Sequence, residues 1–301
     1  MNKLGVHALV WVGGWTHPEC SKAIEQTAAL GFDLIEIPAL DPKTIDVAFT
    51  RRILDQHKLG ATVSLGLDDS CDISSGDPGK IKRGEAHLQA ALAVTRDIGG
   101  SYMGGILYSG FQKYFTPATE KGVAGSVEVL RRLCETAAKS NITIGLEVVN
   151  RYESNVLNTA AQAVDFCKRI GAPNVKVHLD TYHMNIEEAD IETAIVETAG
   201  HLGYFHIGES NRGYLGAGSI DFDKIFRGLV RAGYTGPITF ESFSSTVVNP
   251  QLSGILAIWR NLWDDGNDLA RHARDFIRAN LKAAQEVQAR RGSSDSRQSR
   301  P

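Results

Sequence analysis

The sequence has little of what marks secreted, membrane-spanning or nucleic-acid-binding proteins. Its four cysteines stand far apart and form no CxxC pair, which favours reduced thiols over a disulfide framework. No run approaches about eighteen consecutive apolar residues, and no apolar signal region follows Met1. The formal net charge of −3 supplies no basic field that would attract nucleic acid or an anionic membrane. We therefore expect a cytoplasmic protein without membrane or nucleic-acid partners.

Linkers, strong internal repeats and phosphate-binding glycine patterns are also missing. The glycine pairs at 13–14, 99–100 and 104–105 do not match a phosphate-cradling loop, so no nucleotide cofactor is expected. No proline- or serine-rich linker divides the 301 residues, and a content of 43% hydrophobic and 22% charged residues is typical of globular domains. We expect one catalytic domain over residues 1–291 and a disordered tail over 292–301, because the sequence GSSDSRQSRP cannot bury a core.

Eight short β-rich runs recur along the chain, and helix-like segments separate them. This alternation predicts a parallel sheet with helices outside it, and eight units favour a closed (β/α)₈ TIM barrel over an open doubly wound sheet. The segment 247–265 is longer than a typical connection, which predicts a lid or an oligomer contact. The runs cover residues 5–10, 34–38, 61–67, 102–107, 142–149, 175–181, 204–208 and 237–242.

Side-chain alternation in the last four runs turns one polar residue after another toward the barrel interior. In the run 142–149, the apolar residues at 142, 144 and 146 share one face, so Glu147 points to the other face near the strand end. The same reasoning turns Asp180, His206 and Glu241 inward. In a barrel these four side chains meet at the C-terminal rim, where active sites lie.

These four residues predict a divalent metal site. Three clustered carboxylates repel one another and are costly to bury without a cation. An oxygen-rich set with one imidazole suits Mn²⁺, Mg²⁺ or Co²⁺, and it leaves about two octahedral positions for adjacent oxygens of a sugar. Taken singly, each carboxylate could instead be neutralised by Lys176 or Arg212, and the histidine could be a packed core residue.

Around these residues the sequence resembles the D-tagatose 3-epimerase family, which includes D-allulose (psicose) and L-ribulose 3-epimerases. The likeness extends over roughly residues 3–285. It implies a barrel of the sugar isomerase/epimerase superfamily, a metal-dependent ketose 3-epimerase and a homodimer or homotetramer. The segments that carry the likeness are 31–37 (GFDLIEI), 145–153 (GLEVVNRYE), 178–188 (HLDTYHMNIEE), 206–213 (HIGESNRG) and 240–243 (FESF).

The resemblance also implies roles for individual residues. The metal, with manganese as the first expectation, would be held by Glu147, Asp180, His206 and Glu241. Binding of the ketose would involve Glu153, His183 and Arg212 around C1 to C3, and Trp15 and Phe111 along the pocket. We also count His7 among the substrate-binding candidates, as a departure from the family pattern. His7 and Phe111 stand where relatives carry other aromatic side chains, so these two positions bear on substrate choice.

Simpler structural roles stay open for the pocket residues. The alternatives are a surface ion pair for Glu153 and Arg212, loop orientation for His183, and core packing for Trp15 and His7. Glu36 faces inward on the second run and could act behind the ligand set, but it is not counted among the site residues.

Epimerisation of a ketose at C3 requires a proton to leave the carbon next to the C2 carbonyl and to return on the opposite face. A metal would polarise the carbonyl and stabilise the enediolate. Glu147 and Glu241, with two strands between them, would flank the sugar, one as base and the other as acid, and exchange roles in the reverse direction. Arg212 and His183 would add positive potential where negative charge grows.

Other functions compete with a ketose 3-epimerase. An aldose–ketose isomerase or an inosose-type dehydratase would use the same rim metal. An endonuclease IV-like hydrolase calls for more histidine ligands and a basic DNA face, which a charge of −3 does not favour. A non-catalytic sugar binder would not need four ligands and two acid/base residues. Among ketoses, the sequence does not rank L-ribulose, D-tagatose, D-fructose and D-allulose.

Overall fold

Eight parallel strands close into a barrel in chain order, as described by a computed structural model of residues 2–298, with side chains up to residue 290. The first strand pairs with the last, in the register Gly5 to Thr239. This closure confirms the predicted (β/α)₈ TIM barrel, because an open sheet would leave both strands as edges. The strands are β1 (Leu4–His7), β2 (Leu34–Pro38), β3 (Gly60–Leu67), β4 (Tyr102–Gly110), β5 (Thr143–Glu147), β6 (Val175–Asp180), β7 (Leu202–Ile207) and β8 (Ile238–Phe240).

Helices follow the strands and pack around the outside of the barrel. They are α1 (His17–Ala29), α2 (Val47–His57), α3 (Pro78–Asp97), α4 (Glu120–Ala138), α5 (Ala160–Ile170), α6 (Thr181–Glu187), α7 (Ile191–Thr198), α8 (Phe222–Arg231), α9 (Pro250–Ile255) and α10 (Gly266–Gln298). Over residues 2–298, none of them combines the length and the apolar character that crossing a bilayer requires.

The helix α8 illustrates how the outer layer is held on the barrel. Its buried residues Phe222, Phe226 and Leu229 recur at steps of four and three, which gives the helix one apolar face. The side chain of Asp221 accepts a hydrogen bond from the Lys224 amide and so caps the helix start. Burial of each large apolar side chain stabilises the fold by roughly 1.5–3 kcal/mol, and the hydrophobic effect therefore fixes the helix on the sheet.

Neutral side chains fill the barrel interior below the rim. The phenol oxygen of Tyr204 lies 2.8 Å from Thr62 Oγ1 and 2.6 Å from Thr239 Oγ1. The ring of Tyr102 stacks on that of Tyr204, with 4.3 Å between centroids. Gly145 makes this stacking possible, since a Cβ at that position would lie 1.5 Å from the phenol oxygen of Tyr102. This layer of side chains packs directly below the residues at the C-terminal rim.

The strand β1 is shorter than predicted. It ends at His7, and the chain then forms a 3₁₀ helix over Ala8–Val10 that the sequence pattern placed in the strand. The side chain of His7 causes the turn, because its Nδ1 accepts a hydrogen bond of 3.2 Å from the backbone N–H of Leu9.

The segment 247–265 contains α9 and lies at the C-terminal mouth of the barrel. Its two tryptophans have different environments. Trp263 is buried, and its Nε1 donates to Ser242 Oγ at 2.8 Å. Trp259 is 78% exposed. The segment is therefore anchored by Trp263 and presents apolar surface at Trp259.

The final helix, α10, extends beyond the predicted helix end near Arg291. It continues to Gln298, so residues 292–298 of the predicted tail are helical in the structure. No proline interrupts the sequence between 251 and 300, so the backbone hydrogen bonds of the helix can continue through this polar stretch. Residues 299–301 of the predicted tail lie outside the described residues.

Candidate active site

Four ionisable side chains from four successive strands converge at the C-terminal rim. Glu147 and Asp180 end β5 and β6, His206 lies near the end of β7, and Glu241 directly follows β8. All four are buried, and one potential ligand atom from each lies within 4.8 Å of the others. The Nδ1 of His206 is 3.3 Å from Glu147 Oε1, 3.6 Å from Glu241 Oε1 and 3.9 Å from Asp180 Oδ2. The structure thus brings together all four residues that alternation turned inward.

The cluster favours positive charge at its centre. Burial alone would lower the pKa of His206, but Glu36 and Glu241 raise the pKa well above its ordinary value. Among the described residues, Nδ1 of His206 is buried without a hydrogen-bond partner, although three carboxylates lie near it. An unpartnered imidazole nitrogen beside three carboxylates fits a divalent cation that prefers oxygen ligands. The four residues are therefore a possible metal-binding cluster.

The two glutamates of the cluster have pKa values shifted in opposite directions. Burial raises the pKa of the Glu241 carboxyl to about 8, and the carboxylates of Asp180 and Glu147 add to the rise. Burial would also raise the pKa of Glu147, but His178 and His206 outweigh it and the net shift is downward. Carboxyl groups that differ in this way can serve as an acid and a base in one site.

Arg212 lies over two of the four carboxylates. Its Nη1 is 3.1 Å from Asp180 Oδ2 and 2.8 Å from Glu241 Oε2. Its guanidinium carbon lies 4.1 Å from the ring centroid of Tyr182 and 5.2 Å from that of Phe243. Burial would raise the pKa of Asp180, but the Arg212 guanidinium holds it well below its usual range. The arginine is therefore part of the buried site, and the alternative of a surface ion pair with Glu153 is not what the structure has.

A buried carboxylate that the sequence analysis did not single out holds the loop that carries Arg212. Glu209 accepts hydrogen bonds from the backbone N–H groups of Ser210, Gly216 and Ile220, at 2.8, 2.9 and 3.3 Å. The N–H of Arg212 donates to the Glu209 carbonyl at 2.9 Å, while Arg212 itself has a φ of 59°. This left-handed conformation is strained for an arginine, and the closed loop maintains it. A carboxylate within HIGESNRG was visible in the sequence, but its backbone partners were not.

His183 and Glu153 are linked by Asn150, which the sequence analysis also missed. The backbone N–H of Asn150 donates to His183 Nδ1 at 3.1 Å, and its side-chain Nδ2 donates to Glu153 Oε1 at 2.9 Å. Because Nδ1 of His183 accepts, the proton is on Nε2, which lies 3.8 Å from both Asp180 Oδ2 and Glu153 Oε2. Both predicted residues thus lie at the edge of the cluster.

The rim opens into a cavity of about 1130 Å³, which is large enough for a monosaccharide. Predicted residues that line it are His7, Trp15, Phe111, Glu147, Glu153, His183, His206, Arg212 and Glu241. The segment 247–265 adds an apolar wall that includes Leu252, Leu256 and Ile258. Asp180 is the predicted ligand that does not line the cavity in the described structure, and it is 0% exposed.

Two of the predicted pocket residues also have packing roles. Trp15 is buried and its Nε1 donates to Thr50 Oγ1 at 3.0 Å. His7 has both ring nitrogens engaged, since Nδ1 accepts from the Leu9 amide and Nε2 lies 3.3 Å from Ser64 Oγ. Each of these side chains therefore offers the cavity a fixed surface rather than a movable one.

Comparison with known proteins identifies the family. The profile of the xylose isomerase-like TIM barrel family matches residues 24–280. A ketose 3-epimerase from Arthrobacter globiformis is 48% identical over 286 residues, which cover 95% of this chain and 99% of that protein. The chain belongs to the ketose 3-epimerase family. This result confirms the resemblance drawn from the motifs, and the relatives are enzymes of the isomerase class.

Other members of the family have a similar sequence identity to this chain. An L-ribulose 3-epimerase from Mesorhizobium japonicum is 44% identical, with 94% of this chain and 96% of that protein covered. The crystal structure of a D-allulose 3-epimerase from Methylomonas sp. in complex with D-allulose superimposes with a TM-score of 0.91 at 46% identity, and covers 93% of this chain and 97% of that chain. The whole barrel, and not a shared fragment, carries the relationship.

Proposed function

We propose that the protein is a divalent-metal-dependent 3-epimerase of free ketoses, of the L-ribulose, D-tagatose or D-fructose/D-allulose type. The observation that carries the proposal is the pair of buried carboxyl groups, Glu147 and Glu241, which approach the same His206 nitrogen and have oppositely shifted pKa values. Epimerisation at C3 needs such a pair, because one group must remove a proton from one face and another must deliver a proton to the other face.

In the proposed reaction, ionised Glu147 removes the C3 proton of the bound ketose and becomes a carboxylic acid. Protonated Glu241 then delivers its proton to the opposite face of C3 and becomes a carboxylate. The electron pair of the broken C–H bond resides in the enediolate between the two steps and returns to C3 in the new bond. The reverse direction begins with the exchanged protonation states.

Arg212 and His183 oppose the negative charge that develops on the sugar oxygens. The Arg212 guanidinium lies within hydrogen-bond distance of the carboxylates of Asp180 and Glu241. The Nε2–H of His183 lies 3.8 Å from the Asp180 carboxylate. A fixed cation and a fixed N–H donor in a buried cavity stabilise charge more than water does, because they need no reorganisation during the reaction.

Glu147, Asp180, His206 and Glu241 would hold the metal, and we propose Mn²⁺, with Mg²⁺ or Co²⁺ as alternatives that the same oxygen-rich set accepts. When bound, such a metal supplies Lewis-acid polarisation of the C2 carbonyl of the ketose. The ligand set contains no thiolate, which is consistent with these three metals rather than with a sulfur-selected one.

Proton NMR in D₂O tests the proposal directly. Protein reconstituted with Mn²⁺ and dialysed free of excess metal should convert L-ribulose or D-fructose to its C3 epimer, with deuterium at C3 if the carboxyl groups exchange with solvent. An aldose product labelled at C1 would instead indicate an aldose–ketose isomerase. An unchanged sugar, with metal content and fold verified, would contradict the epimerase and leave inososes and simple sugar binding to be examined.

Replacing either glutamate by glutamine should separate catalysis from folding. We expect Glu147→Gln and Glu241→Gln each to lower the epimerisation rate by about 10²- to 10⁴-fold, since each removes one proton-transfer group. The matched control is Glu197→Gln, the same change at an exposed position of α7, which should leave the rate unchanged. Substantial activity in both site variants would contradict the two-carboxylate reaction.

We also infer a homodimer or homotetramer. Large aromatic side chains are exposed in loops at the C-terminal side of the barrel, with Phe115 91% and Trp259 78% exposed, and association would cover such surface. Light scattering coupled to size-exclusion chromatography tests this inference. A monomer mass at all protein concentrations would contradict it.

We further infer a cytoplasmic location. All four cysteines are free thiols in the structure, and Cys20, Cys134 and Cys167 are buried, as expected of a chain that folds in a reducing compartment. Cell fractionation tests this location. Recovery of the protein outside the cytoplasmic fraction would contradict it.

A further inference from the structure

A carboxylate on the opposite side of the barrel contacts the imidazole of the cluster. Glu36 lies on β2, is 1% exposed, and brings its Oε2 to 2.8 Å from Nε2 of His206. Glu36 therefore lies buried in the barrel interior, next to the four-residue cluster but not part of it.

This contact determines which nitrogen of His206 is available to the cluster. A carboxylate can only accept, so Nε2 of His206 must carry the proton that it donates to Glu36. A cation in the cluster would displace the proton from Nδ1 of His206. The lone pair of this nitrogen is then available beside the carboxylates of Glu147, Asp180 and Glu241. The alternative tautomer would place a proton where the ligand electrons are needed.

His7 lies on the other side of Glu36. Its Nε2 lies 3.7 Å from Glu36 Oε1, and that nitrogen carries the proton of His7 because Nδ1 accepts from the Leu9 amide. The hydrogen-bond partner of His7 Nε2 is Ser64 Oγ at 3.3 Å, so the contact with Glu36 is electrostatic and the hydrogen bond of Glu36 is the one to His206.

We propose that Glu36 is a positioning residue that fixes the Nε2–H tautomer of His206 and thereby sets the affinity of the cluster for a divalent cation. The inference rests on the proposed metal-dependent function, because it assigns Glu36 a role toward the cation that the four ligands would hold. A carboxylate that orients a histidine ligand from behind commonly changes metal affinity by about 10- to 100-fold when it is removed.

The variant Glu36→Gln tests the proposal with metal affinity as the readout. A neutral amide can either accept from or donate to Nε2, so it no longer specifies one tautomer. Isothermal titration of Mn²⁺ into the chelator-treated protein should show binding about 10- to 100-fold weaker in Glu36→Gln than in the unmodified protein. Binding within twofold of the unmodified protein would overturn the proposal.

A matched control uses another buried carboxylate. Asp72 is buried and accepts hydrogen bonds from the Ser74 amide and the Tyr114 phenol, outside the four-residue cluster. Asp72→Asn should leave Mn²⁺ affinity unchanged even if it lowers stability. If Asp72→Asn weakens binding as much as Glu36→Gln does, general destabilisation explains the effect and the tautomer proposal is wrong. If the unmodified protein binds no Mn²⁺, the proposed metal site fails instead.

A spectroscopic measurement keeps the proposal testable if Glu36→Gln does not fold. In Mg²⁺-loaded, unmodified protein labelled with ¹⁵N-histidine, long-range ¹H–¹⁵N correlation distinguishes the two tautomers of a histidine ring. The His206 signals, assigned by their loss in His206→Asn, should show a protonated Nε2 and an unprotonated Nδ1. A proton on Nδ1 would overturn the proposal without any activity measurement.

Discussion

The two halves of the barrel contribute different chemistry to the same cavity. The strands β5–β8 deliver the four residues of the cluster, and the loops after β5 and β7 add Glu153 and Arg212. The strands β1–β4 and their loops supply mainly walls, such as Trp15 and Phe111. Proton transfer and charge stabilisation are thus expected to depend on the second half, while the first half determines which sugar fits.

Glu36 is the exception that shows how the halves are joined. It is a buried carboxyl residue in the first half, and its hydrogen bond goes to His206 of the second half. The general lesson is that residues near a cavity fall into those that meet the ligand and those that orient the residues that meet it. Substitutions in the two halves should therefore differ in both the size and the kind of their effects.

The largest effect is expected in the second half, at Asp180. Asp180→Asn removes one of three clustered carboxylates, which is also one of two carboxylates that Arg212 contacts in the cluster. Metal polarisation is worth several kcal/mol, and each 1.36 kcal/mol is tenfold in rate, so kcat should fall by about 10³-fold or more. Steady-state kinetics and bound Mn²⁺ measured by atomic absorption check this.

Asp190→Asn, on the exposed start of α7, is the matched control and should behave as the unmodified protein. A metal-loaded, active Asp180→Asn protein would remove the distinction between the halves.

An intermediate effect is expected at Glu209, which lies in the second half but does not line the cavity. Glu209→Ala leaves three backbone N–H groups without their carboxylate, which should lower the free energy of unfolding by about 2 kcal/mol or more. The loop would then no longer hold Arg212, so kcat/KM should also fall, by about 10-fold or more. Urea unfolding and kinetics measure both quantities.

The matched control for that prediction is Glu197→Ala on the surface of α7. This substitution should change the free energy of unfolding by no more than about 0.5 kcal/mol, and it should leave kcat/KM unchanged. If Glu209→Ala is destabilised but keeps full activity, the loop does not position Arg212 and the comparison must be restricted to residues that line the cavity.

The smallest effect is expected in the first half, at Phe111. Its side chain packs over Gly66, where an added Cβ would lie 3.2 Å from that of Phe111. Phe111→Trp should change the ratio of kcat/KM between L-ribulose and D-fructose by about 10-fold, because a change of ring size alters the space at one wall of the cavity. Mn²⁺ affinity should not change. Phe115→Trp, the same substitution at an exposed residue outside the cavity, should alter neither quantity. Weaker Mn²⁺ binding in Phe111→Trp would contradict the view that the first half of the barrel determines only the shape of the cavity.

Alternation along single strands was sufficient to predict the inward side chains of the cluster. Glu147, Asp180, His206 and Glu241 share one property, which is an inward position at the C-terminal end of a strand, and this property is local to each strand. Asn150 and Glu209 were not predicted because their roles depend on hydrogen bonds to backbone groups of loops. Such bonds depend on the loop conformation, which no periodic pattern encodes.

The fold was predictable to the level of strand order, but not in its details. Eight β-rich runs with helices between them predict a parallel sheet and favour a closed barrel over an open one, since parallel neighbours require crossover connections and eight such units fit a barrel. The end of β1 at His7 depends on a side-chain hydrogen bond, and the length of α10 depends on the absence of a stop signal rather than on an apolar face. Hydrophobic periodicity carries neither kind of information.

The pairing of β1 with β8 has a consequence for the order of events during protein synthesis. The proposed ligands lie between residues 147 and 241, and the strand that completes the barrel is among the last to leave the ribosome. A nascent chain that has produced only β1–β7 therefore contains Glu147, Asp180 and His206, but it has neither a closed sheet nor Glu241. Because domains fold as units once their contacts are available, we expect the four-residue cluster to form only after β8 has emerged. The closed barrel and the complete cluster therefore arise in the same step.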